Sequence, residues 1–245
     1  MGQAPLKVSV VVPAFNEERL LPGSLAAICS AMHAFTDAGW STELILCDNN
    51  STDRTAELAR AAGATVVFEP HNQIARARNR GAAAARGDWL LFVDADSYPD
   101  AELFRDVMRE IATGCIGGGA AVAVDLDDAL ARAWVGFWNL LSRRMRWAAG
   151  SFIFCEAAAF RELRGFSEAF YAGEEIDFSR RLKRLARRRR QRVVILHRHP
   201  LRTSERKVRL YTRREHFAFI LKTLLLGGRT LRSRDACRVW YDGRR

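Results

Sequence analysis

WLLFVDADS, residues 89–97, joins five consecutive apolar residues to two carboxylates. A run with no polar alternation suits a strand covered on both faces, and such strands belong to parallel sheets wrapped by helices. Outward from this stretch, residues 8–12, 43–47 and 65–68 read as three more strands. Between them, Leu21, Leu25, Ile28, Met32 and Phe35 recur at helical spacing, residues 54–62 read as a helix stopped by Gly63, and the Ala- and Arg-rich residues 74–85 read as another. Leu103, Val107 and Ile111 mark one face of a helix beyond the DAD turn. Strands alternating with helices over the first 115 residues predict an α/β fold, a mostly parallel central sheet flanked by helices.

In such sheets ligands bind beyond the carboxyl ends of the strands. Polar residues collect at three of those ends: Asn16 and Glu17, Asp48, and Asp94 with Asp96. Carboxylates two apart on a turn can face one ion, and hard oxygen ligands suit Mg²⁺ or Mn²⁺ bridging a diphosphate. The alternative for the DAD stretch is a solvated turn. Asp48 can accept a hydrogen bond from a nucleobase imide, while Ser51, Thr52 and Asp53 read as caps of the next helix. In the segment 74–85, Arg76 and Arg80 share a face and Arg78 points elsewhere, so one face can offer a guanidinium to a nucleotide.

After Gly119 the pattern is mixed. Residues 120–125, 150–155 and 193–196 read as short strands, and a helix opens at Gly173. Trp134, Phe137, Trp138 and Trp147 belong to an aromatic helix expected to pack on the sheet with Arg143 and Arg144 solvated; the other reading is a membrane-interface surface. Residues 206–226 read as amphipathic and helical. The 245 residues carry a net charge of +11, unevenly placed: residues 179–245 hold 23 basic and 4 acidic side chains, and the rest leans acidic. A chain basic throughout would suggest nucleic acid; this split suits a polyanion or an anionic membrane surface, and no nucleic acid is expected. Five cysteines at long spacings fit neither a disulfide framework nor a zinc site. The N-terminal apolar run is too short for a signal peptide, and the run at 217–228 is too short and too interrupted to span a bilayer. These features predict a cytoplasmic protein, peripheral on the inner face of the membrane.

VSVVVPAFNEE (8–18), LILCDNNSTDRTAELA (44–59), ARARNRGA (75–82) and WLLFVDADS, in that order and spacing, resemble the family-two glycosyltransferases with the GT-A fold. GSFIFC (150–155), GFSEAFYAGEEIDFSRRL (165–182) and TSER (203–206) resemble their acceptor-side motifs. The resemblance implies a glycosyltransferase domain over 1–205, with a nucleotide-binding half at about 1–115 and an acceptor half at about 116–205, followed by a basic amphipathic tail, 206–245. It places the nucleotide-sugar site on Pro13, Ala14, Phe15, Glu17, Asp48, Arg78, Asp94, Ala95 and Arg206, and the metal on Asp96 and Asp94, with His199 as a third ligand. Where the family carries Glu-Asp with Asp as the base, this chain has Glu174-Glu175 and then Asp177. Glu175 is therefore the expected base, Asp177 the fallback, and Glu174 a support.

The expected activity is an inverting, metal-dependent sugar transfer from a nucleoside-diphosphate sugar, a UDP-sugar in particular, to an acceptor hydroxyl, lipid-linked acceptors included. Mn²⁺ or Mg²⁺ is the expected cofactor. A nucleotidyltransferase would carry a Gly-rich, basic loop after the first strand, where this chain has PAFNEE. A non-catalytic nucleic-acid or membrane-binding module would leave the strand-end carboxylates unexplained.

Overall fold

A computed structural model describes residues 6–124, 128–204 and 229–237. The elements are β1 (Lys7–Ala14), α1 (Leu21–Asp37), β2 (Ser41–Asp48), α2 (Thr55–Ala61), β3 (Thr65–Phe68), α3 (Ile74–Ala84), β4 (Trp89–Val93), β5 (Ser97–Tyr98), α4 (Ala101–Ala112), β6 (Cys115–Ala123), α5 (Ala129–Met145), β7 (Phe152–Glu156), α6 (Ala157–Glu162), α7 (Glu174–Arg189) and β8 (Arg192–Thr203). They build one eight-stranded sheet in the order β3-β2-β1-β4-β7-β6-β8-β5. Six strands run the same way; β7 and the edge strand β5 are antiparallel to their neighbours.

The apolar strands are covered on both sides, as the sequence pattern requires. Successive side chains of a strand point to opposite faces. Val8, Val10, Val12, Leu91 and Val93 face α1 and α4, where Leu25, Ile28, Phe35, Phe104 and Val107 close the layer. Val11, Leu90 and Phe92 face the other way, into Phe160, Phe166, Phe178 and Leu182. Phe92, Phe160, Phe166 and Phe178 pack ring against ring, with centroids 4.7 to 5.6 Å apart. This second core carries α7, and thus the acceptor-side carboxylates, against the strands that end at the DAD turn.

The structure departs from the sequence reading in four places. The strand expected at 120–125 begins at Cys115 and runs through Gly117–Gly119. Glycine is required there by close approach: a Cβ on Gly118 would lie 1.8 Å from the Val194 carbonyl oxygen on β8. The last strand extends to Thr203 because it shifts register along β6 and then pairs with β5. Helix α6 and strand β5 were not anticipated. On α5, Asn139 fixes the helix to β6 through both polar groups of Val122, yet Trp134 and Phe137 point outward instead of packing on the sheet.

Residues 206–226 and Arg206 lie outside the described residues. The described tail residues return to the body: the Leu231 carbonyl accepts from the Tyr171 amide at 2.7 Å, and Cys237 is buried against Ala172. All five cysteines are free. No helix among the described residues is long and apolar enough to cross a membrane.

Candidate active site

The loops after β1 and β2 are stitched together. Ala14 pairs with Asp48 across the two strand ends, and the Asn49 amide donates to the Ala14 carbonyl at 2.8 Å. Asn16 takes a left-handed conformation, which asparagine tolerates. It receives the Thr52 amide on its side chain at 2.7 Å and gives its own amide to Ser51 Oγ at 2.9 Å. Glu17 is buried behind this loop, its amide donating to Thr55 Oγ1 at 2.7 Å. Asp48 is buried as well, and its Oδ1 accepts from the Ser51 amide at 3.0 Å. Pro13 and Phe15 flank Ala14 at the same edge.

Asp94 and Asp96 sit on a turn closed by the Ser97 amide donating to the Asp94 carbonyl at 3.1 Å. Asp96 is buried, and its Oδ2 accepts from Ser204 Oγ at 2.8 Å, while its carbonyl accepts the Ser204 amide at 3.0 Å. The Thr203-Ser204 pair of the TSER motif thus lies against the DAD turn. The donor set of this turn, two carboxylates with Ala95 between them, fits a hard divalent cation. Among the described residues no three His, Cys, Asp or Glu side chains converge on a metal-sized site. His199 on β8 has its Nδ1 3.0 Å from Asp106 Oδ2 on α4, a contact that orients the ring.

Arg78 is the centre of the arrangement. Its side chain is 2% exposed, and it projects from α3 beneath both strand ends. Nη1 donates to Glu174 Oε1 at 2.6 Å; Nη2 donates to Asp94 Oδ1 at 3.0 Å and to the Gly150 carbonyl at 2.8 Å. Its Nε is buried with no hydrogen-bond partner among the described residues. Burial opposes the charge of Arg78, but Asp94, Glu174 and Glu175 outweigh it and hold the guanidinium protonated. One cation therefore ties the DAD turn to the first turn of α7. Arg76 and Arg80, which share the neighbouring face, are elsewhere: Arg76 pairs with Glu168 at 3.0 Å and Arg80 is exposed.

The acceptor-side helix α7 starts at Gly173, whose positive φ of 79° suits glycine at this sharp entry. The first turn carries Glu174, Glu175 and Asp177. Glu174 is spent on Arg78. Asp177 is spent on Arg181, 2.7 Å away, which also holds the Leu163 and Gly165 carbonyls. Glu175 lies beside Gly150, where a Cβ would meet its carboxyl carbon at 3.8 Å. Burial and then the Glu174 charge push its pKa up to about 8; Arg78 opposes them and Asp94 adds to them. Two carboxylates share the single Arg78 charge, so the third keeps its proton near neutrality. A base poised near working pH is what proton abstraction from a hydroxyl needs.

The residues that position this site were not read from the sequence. The Asn49 side chain donates to the Glu69 and His71 carbonyls, and its Oδ1 accepts from the Gln73 amide. Gln73 in turn donates to the Glu168 and Phe170 carbonyls at 2.7 and 2.9 Å. Asn79 exchanges both its amide groups with Phe166. Gln73 and Asn79 pin the segment before α7 to α3, and Asn49 ties the loop after β2 to the segment that leads into α3. Their only signal was an amide residue next to each motif, which reads equally as a cap or a surface residue.

Residues 9–163 match the family model described as Glycosyl transferase family 2. An uncharacterised glycosyltransferase of Mycobacterium bovis is 37% identical over 107 residues, 44% of each chain. The undecaprenyl-phosphate 4-deoxy-4-formamido-L-arabinose transferase of Pseudomonas aeruginosa is 33% identical over 180 residues, 69% of this chain and 50% of its own. The chain spans half or less of these curated relatives. The crystal structure of Staphylococcus aureus TarS 1-349 with UDP superposes over 81% of this chain and 60% of its own, at a TM-score of 0.62 and 19% identity. Glucosyl-3-phosphoglycerate synthase from Mycobacterium tuberculosis, with Mn²⁺, UDP and phosphoglyceric acid, does so over 78% and 68%, at 0.56 and 21%. These structural likenesses are likenesses of fold. The family match, which covers more than half of the chain, shows that this chain belongs to glycosyl transferase family 2.

Proposed function

We propose that the protein moves a sugar from a nucleoside-diphosphate sugar, a UDP-sugar in particular, onto an acceptor hydroxyl with inversion at the anomeric carbon. The observation that carries this reading is the junction at Arg78, which holds Asp94 of the donor-side turn and Glu174 of the acceptor helix in one buried network. Glu175 stands next to it with a carboxyl pushed into the neutral range.

Ala14, Glu17 and Asp48 line the strand ends where the nucleoside would lie, with Asp48 accepting from the base. Asp94 and Asp96 would hold Mn²⁺ or Mg²⁺, and with the cation bound there the charge of the leaving diphosphate is neutralised. Glu175 takes the proton of the acceptor hydroxyl as that oxygen attacks the anomeric carbon from the face opposite the diphosphate. Glu174 and Arg78 keep Glu175 in place and set its basicity. A direct attack of this kind needs no sugar–enzyme intermediate. The complexes of TarS with UDP and with UDP-GlcNAc support a uridine donor here, and the similarity to an undecaprenyl-phosphate transferase supports a lipid-linked acceptor.

The test is a thermal-shift panel of nucleoside diphosphates and nucleotide sugars with and without Mn²⁺. A ligand that binds only the folded state raises the melting temperature with its concentration. Uridine nucleotides are expected to stabilise the protein in the presence of Mn²⁺. No shift with any nucleotide at saturating concentration overturns the reading.

A further inference from the structure

Helix α5 turns an unpartnered apolar stripe to the surface. Trp134, Phe137 and Leu140 are 57%, 55% and 64% exposed, and the Trp134 and Phe137 rings contact each other at 5.7 Å. Met145 continues the stripe at the end of the helix. Large apolar side chains grouped in this way on one face mark an interaction surface.

The ground beside the stripe is strongly cationic. Arg180 and Lys183 of α7 lie over the Trp147 ring, 5.0 and 5.9 Å from its centroid, and Lys183 donates to the Met145 carbonyl at 2.6 Å. Burial and the charges of Arg187, Arg180 and Arg146 lower the Lys183 pKa, so these cations repel one another. Among the described residues none of the four is ion-paired to a carboxylate. The cluster thus presents positive charge that no described carboxylate neutralises.

We propose that the exposed face of α5, with the adjoining basic ridge of α7, docks onto the headgroup region of an anionic bilayer. Aromatic side chains enter the interface while arginine and lysine meet the phosphates. The other occupants fit less well. Residues 205–228 carry six basic and two acidic side chains, the same sign as the ridge. A second copy would set two such ridges against each other. The stripe is also near the site along the chain: five residues beyond Met145, the Gly150 carbonyl accepts from Arg78 next to Glu175. Its use, presenting a membrane-borne hydroxyl to Glu175, rests on the transferase reading; the docking does not.

The experiment is sedimentation of the full chain with vesicles of phosphatidylcholine alone and of phosphatidylcholine mixed with phosphatidylglycerol. It uses the wild type, the double variant Trp134→Ser/Phe137→Ser and the double variant Arg180→Gln/Arg187→Gln, with the melting temperature and oligomeric state of each. The wild type is expected to bind only the anionic vesicles, more weakly as salt rises. The aromatic variant is expected to lose at least about tenfold in partitioning, and each removed charge about fivefold, with unchanged melting temperatures. Unchanged partitioning in either variant, or equal binding to both vesicle types, overturns the proposal. So does a large fall in melting temperature on Trp134→Ser/Phe137→Ser, which would mean that the chain itself covers α5, or a wild-type dimer that this variant dissociates. The assay contains no nucleotide, so its failure leaves the transferase reading standing, and a blank nucleotide panel leaves the docking result standing.

Discussion

Replacing Glu175 by glutamine keeps the side chain's shape and removes its capacity to take a proton. Two independent magnitudes follow. Loss of a general base costs about 10²–10⁴-fold in turnover. The pH profile supplies the second. With a pKa raised to about 8 by burial and by Glu174, only about a tenth of the wild-type Glu175 is ionised at pH 7. Transfer by the wild type is therefore expected to rise about tenfold from pH 7 to pH 9 and to level off, whereas Glu175→Gln gives a flat, low profile. Stability moves in the opposite sense. The folded carboxyl holds its proton to about 8, while the unfolded one releases it near the model value of 4.5. The wild type consequently loses stability as pH rises between those values, and glutamine does not, so the melting temperature of the variant gains on that of the wild type from about pH 4.5 to about 8 and the difference is constant above. The assays are initial rates of UDP release from UDP-sugar with acceptor across pH, and thermal melts of both proteins across the same range. A wild-type limb at ordinary carboxylate pH, or near-normal transfer by Glu175→Gln together with collapse in Asp177→Asn, refutes the assignment and moves the base two residues along α7.

Arg78→Met is expected to destabilise the fold by about 3–5 kcal/mol in denaturant melts, because Asp94 and Glu174 lose their shared buried cation; a loss under 1 kcal/mol would show that the network carries no strain-bearing role. Gly118→Ala pushes a methyl group into the Val194 carbonyl and separates β6 from β8, at a cost of at least about 1–3 kcal/mol, read as a fall in the unfolding midpoint. Gly136→Ala on α5, where a Cβ meets nothing, is the control and is expected to be neutral or stabilising.

The nucleotide-side half was legible because burial on both sheet faces writes itself as unbroken apolar runs. β1 to β4 fall within a few residues of the bounds that the apolar runs predict. What spacing could not convey was partnership at a distance. Spacing makes Arg78 one of three arginines on a helix able to offer a guanidinium to a nucleotide; that it is the buried one follows from Asp94 and Glu174, 16 and 96 residues away, which meet it. Nor could spacing name Asp106, 93 residues before His199, as the partner of its Nδ1. The CIGGGAAVA strand was hidden by glycines whose purpose is close packing of β7 and β8, a tertiary demand with no local trace. The aromatics of α5 form one apolar stripe, which a helical pattern reads as the face packed on the sheet, whereas the structure turns Trp134 and Phe137 outward.

The central claim is a uridine-nucleotide site completed by a divalent cation at the DAD turn, and titration calorimetry of UDP addresses it directly. The wild type is expected to bind UDP when Mn²⁺ is present and to lose that binding in chelator. Asp96→Ala is expected to bind UDP no better with Mn²⁺ than without, while keeping a wild-type unfolding transition. UDP affinity that is indifferent to both Mn²⁺ and Asp96, or no UDP binding by the folded wild type at all, would contradict the account.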